Sequence, residues 1–356
     1  MLELGDKTGV WRAMRGGTAR TAAQLAADSG LSQRYLEELL RAAALHGYVA
    51  CQPVPGVVDK QDGADGLDWD SGIPGSELFT LEAGLEEVLC DENSPHYYAH
   101  TLRLPRLLAG TTFTALARAL TTDAGVAYSE YGPEFAEFVA GSHAKLYRTE
   151  LAGWLGRPEL AALHTRLATG GSILDLGCGA GWSSISAAIA FPAATVHAVD
   201  CDPASIALAR QNIREAEAAG TVGQGRVVPH CCLAHEAGTG QVDLVLLLIC
   251  LHDMHNPSEV LQSARSLLAP GGCLLVLEFT VPDSFPGPEE ARPATRFCLS
   301  VSVLHCLPVS KERSPSQALG TALSRHTLAR LAATAGLKNV TSFPVNETMS
   351  LFLLKE

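Results

Sequence analysis

Apolar positions recur at helical spacing in the first fifty residues and in a strand–helix alternation from about residue 172 onward. In RTAAQLAADSGLSQRYLEELLRAAALHGYVA (20–50) the pattern predicts a helix over Ala22–Asp28, a Ser-Gly turn and a second helix over Ser32–Ala44. Leu36, Leu39, Leu40 and Ala43 share one face of that second helix. Gly47-Tyr48-Val49-Ala50 reads as a strand entering a hairpin, so helix, turn, helix and wing follow in the order of a winged helix. From about Thr80 to Leu120 the chain is apolar and Pro-punctuated, which predicts helices that join a small domain to a large one and line a pocket. SEYGPEFAEFVAGSHAKLYRTELAGWL (129–155) then keeps the helical period, with Phe135, Phe138, Val139, Leu146 and Leu151 on one face.

The second half alternates strand and helix. SILDLGCGAGW (172–182) is a short strand ending at Asp175, then Gly177, Gly179 and Gly181, then the helical run SSISAAIA. Glycines at every second position allow a sharp turn and let a flat or charged ligand approach the helix N-terminus. Nicotinamide and flavin folds use such a loop too. Two carboxylates narrow the choice. Asp175 precedes the first glycine by two residues, an awkward neighbour for a pyrophosphate but a good acceptor for an ammonium or, through water, a sulfonium-bearing amino acid. That favours S-adenosylmethionine over NAD. Asp200 ends the next strand, ATVHAVD, about twenty residues on, where a carboxylate accepts hydrogen bonds from both ribose hydroxyls. RVVPHC, VDLVLLLIC, the helix PSEVLQSARSLL, the turn APGG and the strand CLLVLEF complete an α/β pattern.

Composition agrees with a large core and an accessory unit: the 356 residues are 47% hydrophobic and 18% charged. A formal charge of −12 opposes broad contact with nucleic acid. Residues 1–50 carry six basic and five acidic side chains, whereas 51–100 carry Lys60 against eleven acidic ones. Arg34 and Arg41 on the second helix are balanced by Glu37 and Glu38, and the wing QDGADGLDWD repels phosphate. Dimerisation or substrate enclosure is therefore the better use of the winged helix. No basic leader and no run of about 18 apolar residues is present, so a cytoplasmic protein with no membrane partner is expected. Ten cysteines without a C-x-x-C pair predict buried, reduced thiols and no metal site.

DLGCGAGW, AVDCDP and LLAPGG together make residues 172–280 resemble a class I S-adenosylmethionine-dependent methyltransferase. CLHDMHNPSEVL (250–261), SVLHCLPVS (302–310), Ala318-Leu319-Gly320-Thr321 and LARLAATAGL extend the resemblance to a subgroup with an N-terminal winged helix. The resemblance implies a winged-helix domain over 1–80, a helical linker and pocket lid over 81–150, and a Rossmann-like methyltransferase domain with a seven-stranded, mostly parallel sheet over 151–356. It further implies S-adenosyl-L-methionine as cofactor, S-adenosyl-L-homocysteine as product, a small-molecule acceptor and a homodimer formed through the N-terminal region.

Carried over by position, Asp175, Gly177, Cys178, Gly179 and Gly181 hold the methionine end, Asp200 holds the ribose, and Cys201 and Asp202 flank the adenosine. Ile249 ends the fourth strand beside them, and Tyr131, with Gly132, reaches over the cofactor. Where the family often has an acidic residue for the adenine amino group, this chain has His230-Cys231-Cys232, which leaves backbone groups of Cys231 and Cys232 for that contact.

Methyl transfer needs alignment and exclusion of water, and a base only where the acceptor loses a proton. His252 and Asp253 lie just past the fourth strand, where ligands sit in open α/β sheets. His252 is the candidate base or acceptor-orienting group, with a structural capping histidine as the plainer alternative. His305 lies in an apolar stretch as either a core residue or a pocket residue. His255 follows His252 by three residues, but spacing fixes no third ligand for a metal. Cys250, Cys298 and Cys306 lack the cysteine arrangement of arsenic methyltransferases. Phe79, Tyr97, Tyr98, Phe113, Tyr128 and Phe297 are candidates for an aromatic acceptor pocket, and Arg103 and Arg106 for pairing with an acidic substrate. Two other functions are weighed against this one: a cofactor-sensing DNA-binding regulator without catalysis, and a nucleic-acid methyltransferase, which the absent (Asn/Asp)-Pro-Pro-(Tyr/Phe/Trp) motif opposes.

Overall fold

After two short helices, Leu2–Lys7 and Val10–Ala13, the helix Ala22–Ser29 starts where Thr21 and Gln24 cap each other: the Gln24 N–H donates to Thr21 Oγ1 at 3.2 Å and the Thr21 N–H to Gln24 Oε1 at 2.9 Å. Gly30, at φ 72°, ends it. The next helix, Gln33–Leu45, buries Leu36, Leu40 and Ala43, as its apolar spacing predicts. Strand β1 (Val49–Pro53) then pairs antiparallel with β2 (Glu77–Leu81), Val49 opposite Leu81. Helix, turn, helix and paired strands thus follow in winged-helix order around a core of Trp11, Met14, Leu25, Leu40 and Phe79. The computed structural model describes residues 1–55, 77–110, 112–237, 239–282, 291–321 and 323–356, so the acidic wing QDGADGLDWD lies outside the described residues. Contacts divide the chain into Met1–Leu104 and Pro105–Glu356. The boundaries expected at 80 and 150 fall inside these units, and the helix Pro133–Leu155 runs through the second of them.

The second unit is built on seven strands, β3 (Ser172–Leu176), β4 (Thr195–Asp200), β5 (Val227–Cys231), β6 (Val242–Leu248), β7 (Leu268–Phe279), β8 (Asn339–Pro344) and β9 (Met349–Lys355). Their order is β5-β4-β3-β6-β7-β9-β8, parallel except for β9, which runs antiparallel to both neighbours. This is a Rossmann-like, mostly parallel sheet with helices on both faces. β6 reads VDLVLLL because both faces are covered. Leu244, Leu246 and Leu248 join one core, and Val245 and Leu247 join the other. The order in which successive strands are laid down reverses between the parallel neighbours β3 and β6, which opens a crevice at their carboxyl ends.

One local expectation is corrected. APGG is not a free turn but part of β7: pairing jumps from Val242↔Leu268 to Leu244↔Cys273, and Gly271 takes φ 74°. The extra residues are taken up as an irregularity in the ladder, which keeps Cys273–Leu277 in register with β6.

Candidate active site

A cavity of about 240 Å³ opens in the second unit at the carboxyl ends of β3 and β6. One wall is the glycine loop. The N–H groups of Gly177 and Cys178 both donate to the Val199 carbonyl, at 2.8 and 3.0 Å, which ties the loop to the end of β4. Gly177 has φ 70°, and a Cβ there would lie 2.8 Å from Cys250 Cβ, so only glycine fits. At Gly179, with φ 54°, a Cβ would meet no atom within 4 Å, so the backbone is open toward the cavity it lines. Gly181 caps the helix Trp182–Ala190.

Asp200 forms the next part of the wall. Its Oδ2 accepts from the Gly179 N–H at 2.8 Å and its Oδ1 from the Asp202 N–H at 2.9 Å. Burial raises its pKa and these backbone donors oppose the rise. Asp202 in turn accepts from the Ser205 N–H at 2.8 Å and caps the helix Pro203–Ala218. Cys201, Cys232 and Ile249 also line the cavity, Ile249 at a φ of 56°, while Cys231 is exposed on the edge strand β5. The chain beyond β5 contributes Leu233, Ala234 and His235, which sequence reasoning did not single out.

Asp175 is placed differently from its expected role. It is 1% exposed, and its Oδ2 accepts from Ser183 and Ser184 Oγ at 2.6 and 2.5 Å. Burial pushes its carboxyl up to about 6, partly offset by the two hydroxyls. It ties the helix Trp182–Ala190 to β3. Tyr131 is also buried, and its hydroxyl donates to the Leu304 carbonyl at 2.7 Å. Of these two tyrosines it is Tyr128, one turn earlier, that lines the cavity. The helix Pro133–Leu155 adds Ala136, Val139, Ala140, His143 and Tyr147 at helical spacing, and the Tyr147 hydroxyl donates to the Leu248 carbonyl at 3.1 Å. Burial lowers His143 to about 4, so the ring is neutral at physiological pH. Of the other candidate aromatics, Phe79 is core of the first unit, and Tyr98, Phe113 and Phe297 are exposed. Arg106 pairs with Glu134 at 2.7 Å, and the Arg103 Nε donates to the His100 carbonyl at 3.1 Å.

Past β6 the chain makes a tight turn, Leu251–Asp253. Asp253 lines the cavity, and His252 stands behind it, 2% exposed. Glu278, 0% exposed near the end of β7, takes the His252 backbone N–H on Oε1 at 3.2 Å and lies 2.5 Å from His252 Nδ1 through Oε2. His252 Nε2 faces Asp253 Oδ1 at 3.3 Å. Burial works against charge on this ring, but Asp253 and Glu278 outweigh it and raise the pKa well above the ordinary histidine value. Sequence reasoning missed Glu278, although a carboxylate inside the apolar run CLLVLEF is itself a signal, because burying it alone is costly. His255 lines the cavity beside His235, with ring centroids 6.4 Å apart.

The segment Ser302–Cys306 is a π-turn inside a longer helical stretch, Pro293–Ser310. It buries His305 and Cys306. His305 packs 4.6 Å from both Tyr131 and Phe135, and its Nε2 is 3.9 Å from Asp253 Oδ2. Burial drives it down to about 4, and Nδ1 has no hydrogen-bond partner.

A parallel sheet with a glycine loop at its switch point, an acidic residue closing the next strand and a cavity beside both defines a nucleotide-type site on a Rossmann-like fold. The methyltransferase-domain family model matches residues 147–342, more than half of the chain, and the chain belongs to that family. It is 29% identical over 114 residues to malonyl-[acyl-carrier protein] O-methyltransferase of Halalkalibacterium halodurans, a match that spans 32% of this chain and 41% of that protein. Among solved structures, a protein of Nostoc punctiforme provisionally named an O-methyltransferase superposes with a TM-score of 0.67 at 18% identity, covering 99% of this chain and 94% of its own. Human N-acetylserotonin methyltransferase, solved in complex with SAM, gives 0.61 at 15% identity, covering 100% of this chain and 92% of its own. At these identities the solved structures speak to the fold.

Proposed function

We propose that the chain transfers a methyl group from S-adenosylmethionine to an oxygen of a small molecule. The observation that carries this reading is the Asp200 carboxylate in the cavity wall, fixed by the Gly179 and Asp202 N–H groups next to the open backbone at Gly179. Those residues fit an adenosyl donor: Asp200 has lone pairs left for ribose hydroxyls, and Gly177–Ala180 present backbone rather than side chain to the amino-acid end. When bound, the donor supplies an electrophilic methyl carbon on a sulfonium. Tyr128, His143 and Tyr147 then enclose the acceptor space and keep water out. A proton leaving the acceptor meets Asp253 first, with His252 and Glu278 behind it. The carboxylates that raise the proton affinity of His252 make it a strong base, while lowering the fraction that is unprotonated near neutrality.

Structures of relatives favour the oxygen acceptor. NcsB1, an O-methyltransferase from neocarzinostatin biosynthesis, is bound to S-adenosyl-L-homocysteine and 1,4-dihydroxy-2-naphthoic acid. Separate calorimetric titrations with S-adenosylmethionine and with NADH test the donor. Micromolar binding of the former alone supports the reading, and preference for NADH overturns it. Asp200→Ala is expected to weaken donor binding by roughly 1–3 kcal/mol in the same titration, through loss of charge-assisted hydrogen bonds. Unchanged affinity sinks the ribose assignment.

We further propose that the protein works as a homodimer through its N-terminal region, where Tyr35 and Leu45 are 81% and 90% exposed. We place it in the cytoplasm, since all ten cysteines are unpaired, as suits a reducing compartment. No helix among the described residues is long and apolar enough to cross a membrane. Sedimentation of the full chain against a Tyr35→Glu variant tests the dimer: a monomer for both overturns it.

A further inference from the structure

Spacing offers no metal site, because no third ligand follows His252 and His255, but folding brings one from the π-turn. His252, Asp253 and Cys306 place one nitrogen, one oxygen and one sulfur within 4.8 Å of one another. In a tetrahedral zinc site the ligand atoms lie about 2.0–2.3 Å from the ion and about 3.5 Å apart, so small side-chain rotations close the present spacing around an ion. His252 Nε2 and Asp253 Oδ1 already stand at 3.3 Å.

Three features single this cluster out from a chance grouping. Glu278, 2.5 Å from His252 Nδ1, is placed to accept its N–H, which orients the imidazole so that Nε2 faces Asp253 and Cys306. That is the arrangement in which a second carboxylate aims a metal-binding histidine. Asp253 Oδ1 is buried with the 3.3 Å contact to His252 Nε2 but no hydrogen bond of good geometry, and the neighbouring His305 Nδ1 is buried without a hydrogen-bond partner. Finally, Asp253 is 25% exposed and lines the cavity, so an ion has a route in and a coordination position on that side. A sulfur–nitrogen–oxygen set selects zinc and similar borderline-soft ions over magnesium or calcium.

We propose that His252, Asp253 and Cys306 form a binding site for a zinc-class divalent cation, with one coordination position open to the cavity. Such an ion takes the Nε2 lone pair of His252 and so competes with any proton that this nitrogen accepts.

Titrating the full chain with cobalt(II), as a coloured stand-in for zinc, tests the site without methyl donor or acceptor, so its outcome is separate from that of the donor titrations. One equivalent is expected to give a thiolate-to-cobalt charge-transfer band that zinc displaces. Cys306→Ser is expected to abolish the band, Asp253→Asn to weaken binding at least tenfold, and Cys232→Ser, a cavity cysteine outside the cluster, to leave both unchanged. No band in the wild type, or a band that survives Cys306→Ser, overturns the proposal. Should Cys306→Ser lose its native circular dichroism, the Asp253→Asn and Cys232→Ser titrations decide: equal affinity for both variants overturns it as well.

Discussion

Replacing His252 with alanine is expected to lower turnover by about two to four orders of magnitude, the range for removal of a positioned general base. Donor affinity should stay close to wild type, because His252 lies behind Asp253 and not in the cavity wall that holds Asp200. The measurement is single-turnover methyl incorporation at saturating donor, with an acceptor found by screening hydroxylated small molecules, beside calorimetry for the donor. A variant whose affinity falls while turnover holds makes His252 a binding residue. The companion substitution Glu278→Gln keeps the shape and removes one charge from the ring's partner. Its loss should be smaller than that of His252→Ala, since the amide oxygen can still accept from Nδ1, at the cost of the His252 backbone N–H, which then faces the amide NH2. Equal losses point to collapse of the turn rather than to proton transfer.

Asp175 gives the second large effect, on stability instead of rate. Its carboxyl rises from the ordinary 3.8 to about 6 on folding. Between these values the folded chain holds a proton that the unfolded chain has released. Asp175 therefore contributes stability that is fully present below 3.8 and lost as pH rises through about 6. The loss at neutral pH is of the order of 3 kcal/mol. Asp175→Asn should remove it, because both serines donate to one oxygen, Oδ2, which an amide oxygen replaces. Urea unfolding midpoints between pH 4 and 7.5 check this: the variant's profile should be flatter and its midpoint higher at pH 7.5. A variant that keeps the wild-type slope places the proton elsewhere.

The glycine-loop side of the cavity was legible because its residues sit in continuous strand-loop-helix units. Asp200 ends β4 with Asp202 two residues on, and Gly177 and Gly179 follow β3 within three residues, so motif spacing converts into a shared location at the sheet's carboxyl edge. Asp175 misled for the same reason that β-strands are simple: a side chain near the end of β3 points to one sheet face, here the helix layer with its serines rather than the loop. The helix-lined side of the cavity was not legible. Ala136, Val139, Ala140, His143 and Tyr147 repeat at the spacing of any packed helix, and nothing in that period separates a cavity wall from a core face. Tyr131 and Tyr128 lie one turn apart, and only tertiary contacts decide which is buried against Leu304 and which lines the cavity. Partnerships such as His252 with Glu278 join β6 to β7 across 26 positions of chain, beyond the reach of local pattern.

The π-turn at Ser302–Cys306 acts as a phase setting. An α-helix advances each residue by about 100° around its axis, and a five-residue hydrogen-bonded turn inserts one surplus step into that count. The azimuths of His305 and Cys306 relative to Asp253 therefore depend on a residue that contributes no chemistry of its own. Deleting Ser302, Val303 or Leu304 would leave His305 and Cys306 in the sequence but rotate the rest of the helix against them. The letters H and C at 305 and 306 are meaningful only together with the length of the turn that aims them.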